Sequence, residues 1–207
     1  NQLESNFILA LAESDRGEIF VGTNGGGFTV IYPDGKSRTF HLKEDDSGIL
    51  IFNVDVRPNG TAVLTTNTGP AYFDGQKIIP VKLELSGRSS TYFDVVWDKK
   101  EHLWLTTNNG IFKIEKTDWY DFLDEKLEEV PFTLINEMSG MNNRECTGAT
   151  KSTITNEGIL FFPTLGGVSI IDPNTPEYEY KEAAAQIRKI SVDDQSYLSY
   201  DQPLAFG

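Results

Sequence analysis

The sequence predicts an all-β protein: a β-propeller fragment of about four four-stranded blades, with one inserted helix before the last blade. Three observations carry that expectation. A short segment recurs four times along the chain, each copy keeps a Thr and a Gly in fixed columns, and strands of alternating apolar and polar residues flank every copy.

The four copies are "DRGEIFVGTNGGGFTVI" (15–31), "PNGTAVLTTNTGPAYF" (58–73), "KKEHLWLTTNNGIFKI" (99–114) and "NEGILFFPTLGGVSII" (156–171), and they align without gaps. A turn residue stands at Gly17, Gly60, Glu101 and Gly158; the Thr column is Thr23, Thr66, Thr107 and Thr164; the second column is Gly26, Gly69, Gly110 and Gly167. Between turn and Thr lies a pair of large residues suited to a strand: Phe20-Val21, Val63-Leu64, Trp104-Leu105 and Phe161-Phe162. Another apolar run follows the second Gly, so each copy reads as a hairpin. Gly supplies the positive φ that a tight turn demands. Glu101 is the exception, and its turn is expected to use a type I geometry that tolerates ordinary residues. A Thr beside a turn hydrogen-bonds neighbouring backbone, and Asn24, Asn67 and Asn108 next to it are read the same way. Pro163 cannot donate to a ladder, which places it at an edge or an irregular position.

Alternating strands precede each hairpin, at Leu9-Leu11, Phe52-Val54-Val56, Phe93-Val95-Trp97 and a more polar stretch around Thr150-Ser152-Ile154. Others follow in "KSRTFHL", "QKIIPVKL" and "VPFTLINE". The blades are therefore placed near 8–42, 49–84, 91–137 and 147–173, a period of about 40 residues with a longer last interval. That interval holds "TDWYDFLDEKLEEV", where Trp119, Phe122, Leu123, Leu127 and Val130 fall at helical spacing behind a Thr117-Asp118 cap. The stripe is read as packing the helix onto its blade.

Composition limits the function. A formal charge of −13, from 31 acidic and 18 basic residues, opposes binding to nucleic acid or anionic lipid. Cys146 is the only cysteine, so no intramolecular disulfide and no Cys-rich metal site can form. No cofactor motif and no metal site is expected. The sequence contains no apolar run of the roughly 18 to 20 residues a membrane span needs. The opening "NQLESNFILALAES" lacks an initiator Met and suggests an excised fragment.

The blade pattern resembles the two-component regulator propeller repeat, best matched by "HLWLTTNNGIFKI" and by Gly-led loops at Gly48, Gly87 and Gly140. The stretch "SGMNNRECTGATKSTITNEGILFFPTLGGVSIIDP" (139–173) is similar to the terminal blade of that family, and the resemblance covers roughly residues 8 to 173. It implies that residues 1–176 are the C-terminal blades of a larger propeller. Residues 177–207 are then a linker and the start of a truncated β-sandwich, with 187–192 as its first strand. It also implies the ligand-sensing, periplasmic part of an inner-membrane receptor, a hybrid histidine kinase or diguanylate cyclase, that responds to carbohydrate-derived ligands and signals to a cytoplasmic output domain. No kinase nucleotide site, phospho-accepting His context or receiver motif lies in these residues, and His41 and His102 are read as structural.

Two other readings stand beside that one. A propeller scaffold could bind a protein or its own copy as a homodimer, because an incomplete ring leaves exposed edge strands. A glycan-active hydrolase finds little support, since the Arg residues come from separate regions and most carboxylates sit in turns or the acidic helix, so no catalytic residue is assigned. A small molecule or oligosaccharide would be met by the loops leading into the blades, because such loops vary on a rigid frame. Arg88 and Tyr92 in "SGRSSTYF", and Asn142, Asn143, Arg144 and Glu145 in "GMNNRECTG", are the candidate contacts.

Overall fold

The computed structural model describes residues 3–83 and 90–175, together with the strands at 190–192 and 195–197. The chain divides into two compact units, Asn1–Thr175 and Pro176–Gly207. The first unit is a row of antiparallel meanders whose strands hydrogen-bond in chain order. They are β1 (Ile8–Glu13), β2 (Ile19–Thr23), β3 (Phe28–Ile31) and β4 (Ser37–Phe40); then β5 (Ile51–Val56), β6 (Ala62–Thr66), β7 (Gly69–Phe73) and β8 (Ile78–Pro80). The third blade is β9 (Tyr92–Trp97), β10 (Leu103–Thr107), β11 (Gly110–Ile114) and β12 (Thr133–Ile135). Among the described residues the last sheet has three strands, β13 (Thr153–Ile154), β14 (Leu160–Thr164) and β15 (Gly167–Ile171), where the other blades have four. After Ile171, Asp172 accepts from Asn174 N–H and turns the chain. In the second unit β16 (Ile190–Val192) and β17 (Gln195–Tyr197) form an antiparallel pair; residues 187–189 of the strand expected there lie outside the described residues.

Alternation along the strands builds the core between blades rather than inside them. Leu103 and Leu105 of β10 join a cluster with Val63, Val81 and Leu83 of the blade before, whereas Trp104 between them joins Leu160 and Phe162 of the blade after. The first joint repeats the pattern, with Phe20, Phe28 and Val30 packed against Ile51, Val54 and Leu64. Each fully buried side chain of this size is worth about 1.5 to 3 kcal/mol, so the joints hold most of the apolar stabilisation. Strand β1 packs beside β5, and β5 beside β9, so the first strand of each blade neighbours the first strand of the next.

The Thr column does what its position suggests. Thr23, Thr66, Thr107 and Thr164 each donate their hydroxyl to the carbonyl of a following Gly, at 2.9, 2.7, 2.8 and 3.1 Å. In the first three copies the same oxygen accepts a loop amide, from Gly26, Thr68 and Asn109. The first copy corrects the alignment: the Gly that accepts from Thr23 is Gly27, with φ 69°, because that loop is one residue longer. Gly26 instead lies against the Ser5 backbone, 2.5 Å from where its Cβ would be. The Asn residues clip the chain leading into each blade. Asn67 accepts from Leu50 N–H at 2.9 Å and donates to Gly48 O at 2.9 Å, and Asn108 accepts from Thr91 N–H at 3.0 Å.

Three further expectations change. Glu101 has φ 64°, so it adopts the left-handed backbone of its Gly counterparts even though an Asp98 to Glu101 turn bond of 3.0 Å precedes it. The helix α1 (Lys116–Leu123) starts from Glu115, which makes no side-chain cap, rather than from Thr117-Asp118. It also ends before Leu127 and Val130; Val130 N–H donates instead to Lys82 O at 2.8 Å. The helix does pack on the blades: Trp119 meets the Tyr72 and Trp97 rings edge-on at 5.8 and 5.9 Å. Pro163 stands where pairing with β13 has ended and an isolated bridge from Cys146 to Thr164 takes over.

At the turn end of the sheets, cations link consecutive blades. The Arg16 guanidinium donates to Asn59 O at 2.6 Å, Arg57 lies 3.9 Å from Glu101, and the Lys99 ammonium donates to Asn156 O.

Candidate functional site

Successive strands run antiparallel, so the Thr loops and the segments leading into each blade gather at the end opposite those cations. Arg88 lies outside the described residues. Tyr92 is not a loop residue: it opens β9 opposite Thr107 and is 4% exposed, with its ring edge-on to Phe112 at 5.7 Å. It also lines a groove of about 310 Å³ between the second and third blades, whose walls include Lys43, Pro70, Pro80, Lys82, Ser90 and Glu129.

The Tyr92 hydroxyl has no hydrogen-bond partner among the described residues and is not one of the atoms sealed from solvent. The opening available to it is the groove. Burial pushes the phenol up to about 12, so it stays protonated and able to donate through the physiological range. Ser90 is fixed in the wall by Asn109 Nδ2, which donates to its hydroxyl at 3.0 Å. Asn109 belongs to the Thr107 loop, so the repeated hairpin clip positions the groove.

The second set of candidates lies elsewhere. Asn143 Oδ1 accepts from Glu145 N–H at 2.7 Å, and Arg144 N–H donates to Glu137 Oε1 at 3.0 Å. Glu145 O accepts from Leu165 N–H at 2.9 Å, and Cys146 N–H donates to Thr107 O at 3.0 Å. This loop therefore ties the third hairpin to the fourth. Asn142, Arg144 and Glu145 are exposed along it, whereas Asn143 packs against Gly166. The structure does not bring Asn142, Asn143, Arg144 or Glu145 into the groove beside Tyr92.

Sequence reasoning missed a polar cluster on the first strands. Asn53 Nδ2 donates to the buried Asp94 at 2.6 Å, Ser152 N–H donates to Asp94 Oδ2 at 2.5 Å, and the Lys151 ammonium reaches Asn53 Oδ1 and lies 3.6 Å from Asp94. Nearby on β5, Asp55 accepts from Trp97 Nε1–H at 2.7 Å. Desolvation raises the Asp55 pKa, opposed by that bond and by Arg57, while the charge of Asp94 adds to the rise. The only signal in sequence is a polar residue recurring inside an apolar first strand.

Among the described residues no group of three or more His, Cys, Asp and Glu could hold a metal ion. His41 and His102 face carboxylates, at 3.2 Å from Asp46 and 3.0 Å from Glu115. Among the same residues, no helix is long and apolar enough to cross a membrane.

No family model matches the chain, and no curated protein matches it. Solved structures do. The extracellular domain assigned to the hybrid two component system BT3049 from B. thetaiotaomicron is similar with a TM-score of 0.63 at 20% identity, over 84% of this chain and 23% of that one. The extracellular domain assigned to the one component system BT4673 of the same organism gives 0.65 at 16% identity, over 82% and 22%. A catalytically inactive virginiamycin B lyase from Staphylococcus aureus, crystallised with quinupristin, gives 0.59 at 16%, over 81% and 53%. These likenesses show the propeller-type fold, and this chain spans less than a quarter of the two extracellular domains.

Proposed function

We propose that this chain is the ligand-sensing part of the extracytoplasmic region of a membrane-bound bacterial two-component receptor, passing ligand occupancy to a cytoplasmic output domain. The observation that carries the reading is the combination of fold and groove. Blades similar to those of two extracellular signalling domains hold, at their loop end, a cavity lined by a buried Tyr with an unused hydroxyl. A groove between blades can convert occupancy into a change at a joint, because its walls belong to different sheets. Periplasmic location and a carbohydrate-derived ligand follow from the same reading, with chemistry outside this segment supplied by the output domain. The test is a transcriptional reporter driven by the full-length receptor in its host. Oligosaccharides should induce it, and filling the groove by Ser90→Trp should abolish induction without loss of the protein; a response unchanged by that substitution would sink the idea.

A second reading, a scaffold that binds protein, rests on a different observation. Leu11 is 69% exposed although its counterparts Val54 and Val95 are buried in joints, and Val168 and Ile170 are about as exposed where Ile111 and Lys113 are buried. Both ends of the row thus present blade-facing surfaces, and a homodimer or a partner sheet could cover them. Light scattering tests the homodimer, and a monomer at high concentration removes it.

A further inference from the structure

We propose that the groove beside Tyr92 binds an anionic sugar, a ring carrying a carboxylate or sulfate, with Lys43 and Lys82 receiving the charge and the Tyr92 hydroxyl donating to the ring. The inference rests on the ligand-sensing reading and names the ligand class for that groove.

Size is the first argument: a cavity of about 310 Å³ suits a monosaccharide, at the lower limit of small-molecule sites. Charge is the second. In a chain of net charge −13 the cations are scarce and many are engaged, as Lys36 is by Asp34, Lys116 by Glu101 and Lys126 by Asp121. Lys43 and Lys82 line the same groove and enter no ion pair among the described residues. Glu129, the one carboxylate among the described residues of the lining, lies beyond ion-pair distance of both. It is left to accept from a sugar hydroxyl and to repel a second anionic group.

Shape and hydrogen bonding complete the match. Pro70, Pro80 and Val81 give flat apolar walls for the C–H face of a ring, and Tyr92 offers a hydroxyl without a partner among the described residues. Because that hydroxyl is not sealed from solvent, a ligand acceptor would take the place of water there, for a modest net gain. Lys43 follows the first blade, Lys82 lies at the end of the second and Tyr92 opens the third, so one small ring would touch three consecutive repeats.

The test is calorimetric titration of the 207-residue chain with glucuronate, galacturonate and glucose 6-sulfate, against glucose, acetate and inorganic sulfate. At least one acidic sugar should bind, and more tightly than glucose or the free anions. Lys82→Met and Lys43→Met should each weaken it about tenfold and Tyr92→Phe about threefold, with melting temperatures unchanged. Binding that falls as salt rises would agree. The proposal is overturned by no binding of any acidic sugar at tens of millimolar, by equal binding of glucose, by equal binding of free sulfate or acetate, or by affinity unchanged in all three variants. If an oligosaccharide drives the receptor reporter and Ser90→Trp abolishes the response while these three variants respond normally, the acidic-sugar site fails and the sensor reading stands. If the acidic sugar binds here but the receptor never responds to any sugar, the site stands and the sensor reading fails.

Discussion

The indole N–H of Trp104 donates to Asp98 Oδ2 at 3.0 Å, with both residues buried. The other oxygen of that carboxylate accepts the Lys100 and His102 amides at 2.8 and 2.9 Å, so one side chain organises a turn and anchors the largest ring of the third joint. Asp98→Ala would strand these donors and should cost about 3 kcal/mol. Urea unfolding followed by Trp fluorescence would measure it; a loss below about 0.5 kcal/mol would contradict the role.

The Thr clips should not be equal. Thr107→Val leaves the Gly110 carbonyl and the Asn109 amide without their partner in a buried loop, an expected loss of about 2 kcal/mol. Thr164 makes only the single donated bond, in an exposed loop, and Thr164→Val should cost well under about 1 kcal/mol. Comparable losses in the two variants, read from thermal melts, would rule out the graded role.

Asp55 makes a prediction about pH. Its folded pKa is raised, chiefly by desolvation, so the fold favours the protonated acid. The contribution to stability is fully present below the unfolded pKa, near 3.8, and is lost as pH rises through the folded value. Asp55→Asn retains an acceptor for Trp97 and carries no charge. It should therefore raise the melting temperature at pH 7 and lose that advantage below about pH 3.5. An advantage that persists unchanged at low pH would show that the carboxylate is not the cause.

Cys146 is 2% exposed, and burial pushes its thiol up to about 11. Thiolate is the reactive form, so an aromatic disulfide reagent at pH 8 should label the native chain far more slowly than the unfolded one, by about a hundredfold or more. Rapid native labelling would mean that the loop from Gly140 to Thr147 opens readily.

The hairpins were legible in the sequence because the contacts that define them are local: a Thr hydroxyl reaches a Gly carbonyl three or four residues on. The groove was not, since Lys43, Lys82 and Tyr92 come together only through packing of successive sheets. Tyr92 stands out in sequence for its position near a loop, yet the structure buries it in the joint between the second and third blades, where it also lines the groove. Asn143 and Glu145 follow an opposite course, because their backbone and Asx bonds hold the last two hairpins together. The cap of α1 misled because Thr117 and Asp118 have cap chemistry but already lie inside the first turn.

The cations at the turn end, Arg16 to Asn59, Arg57 to Glu101 and Lys99 to Asn156, all point the same way along the chain. Every donor sits in the earlier repeat and every acceptor in the later one, so the row has a direction. Such joints are interchangeable in kind: a carbonyl or carboxylate at the tip of any repeat can receive the cation of whichever repeat precedes it. The turn-end contacts thus give neighbouring repeats a fixed order.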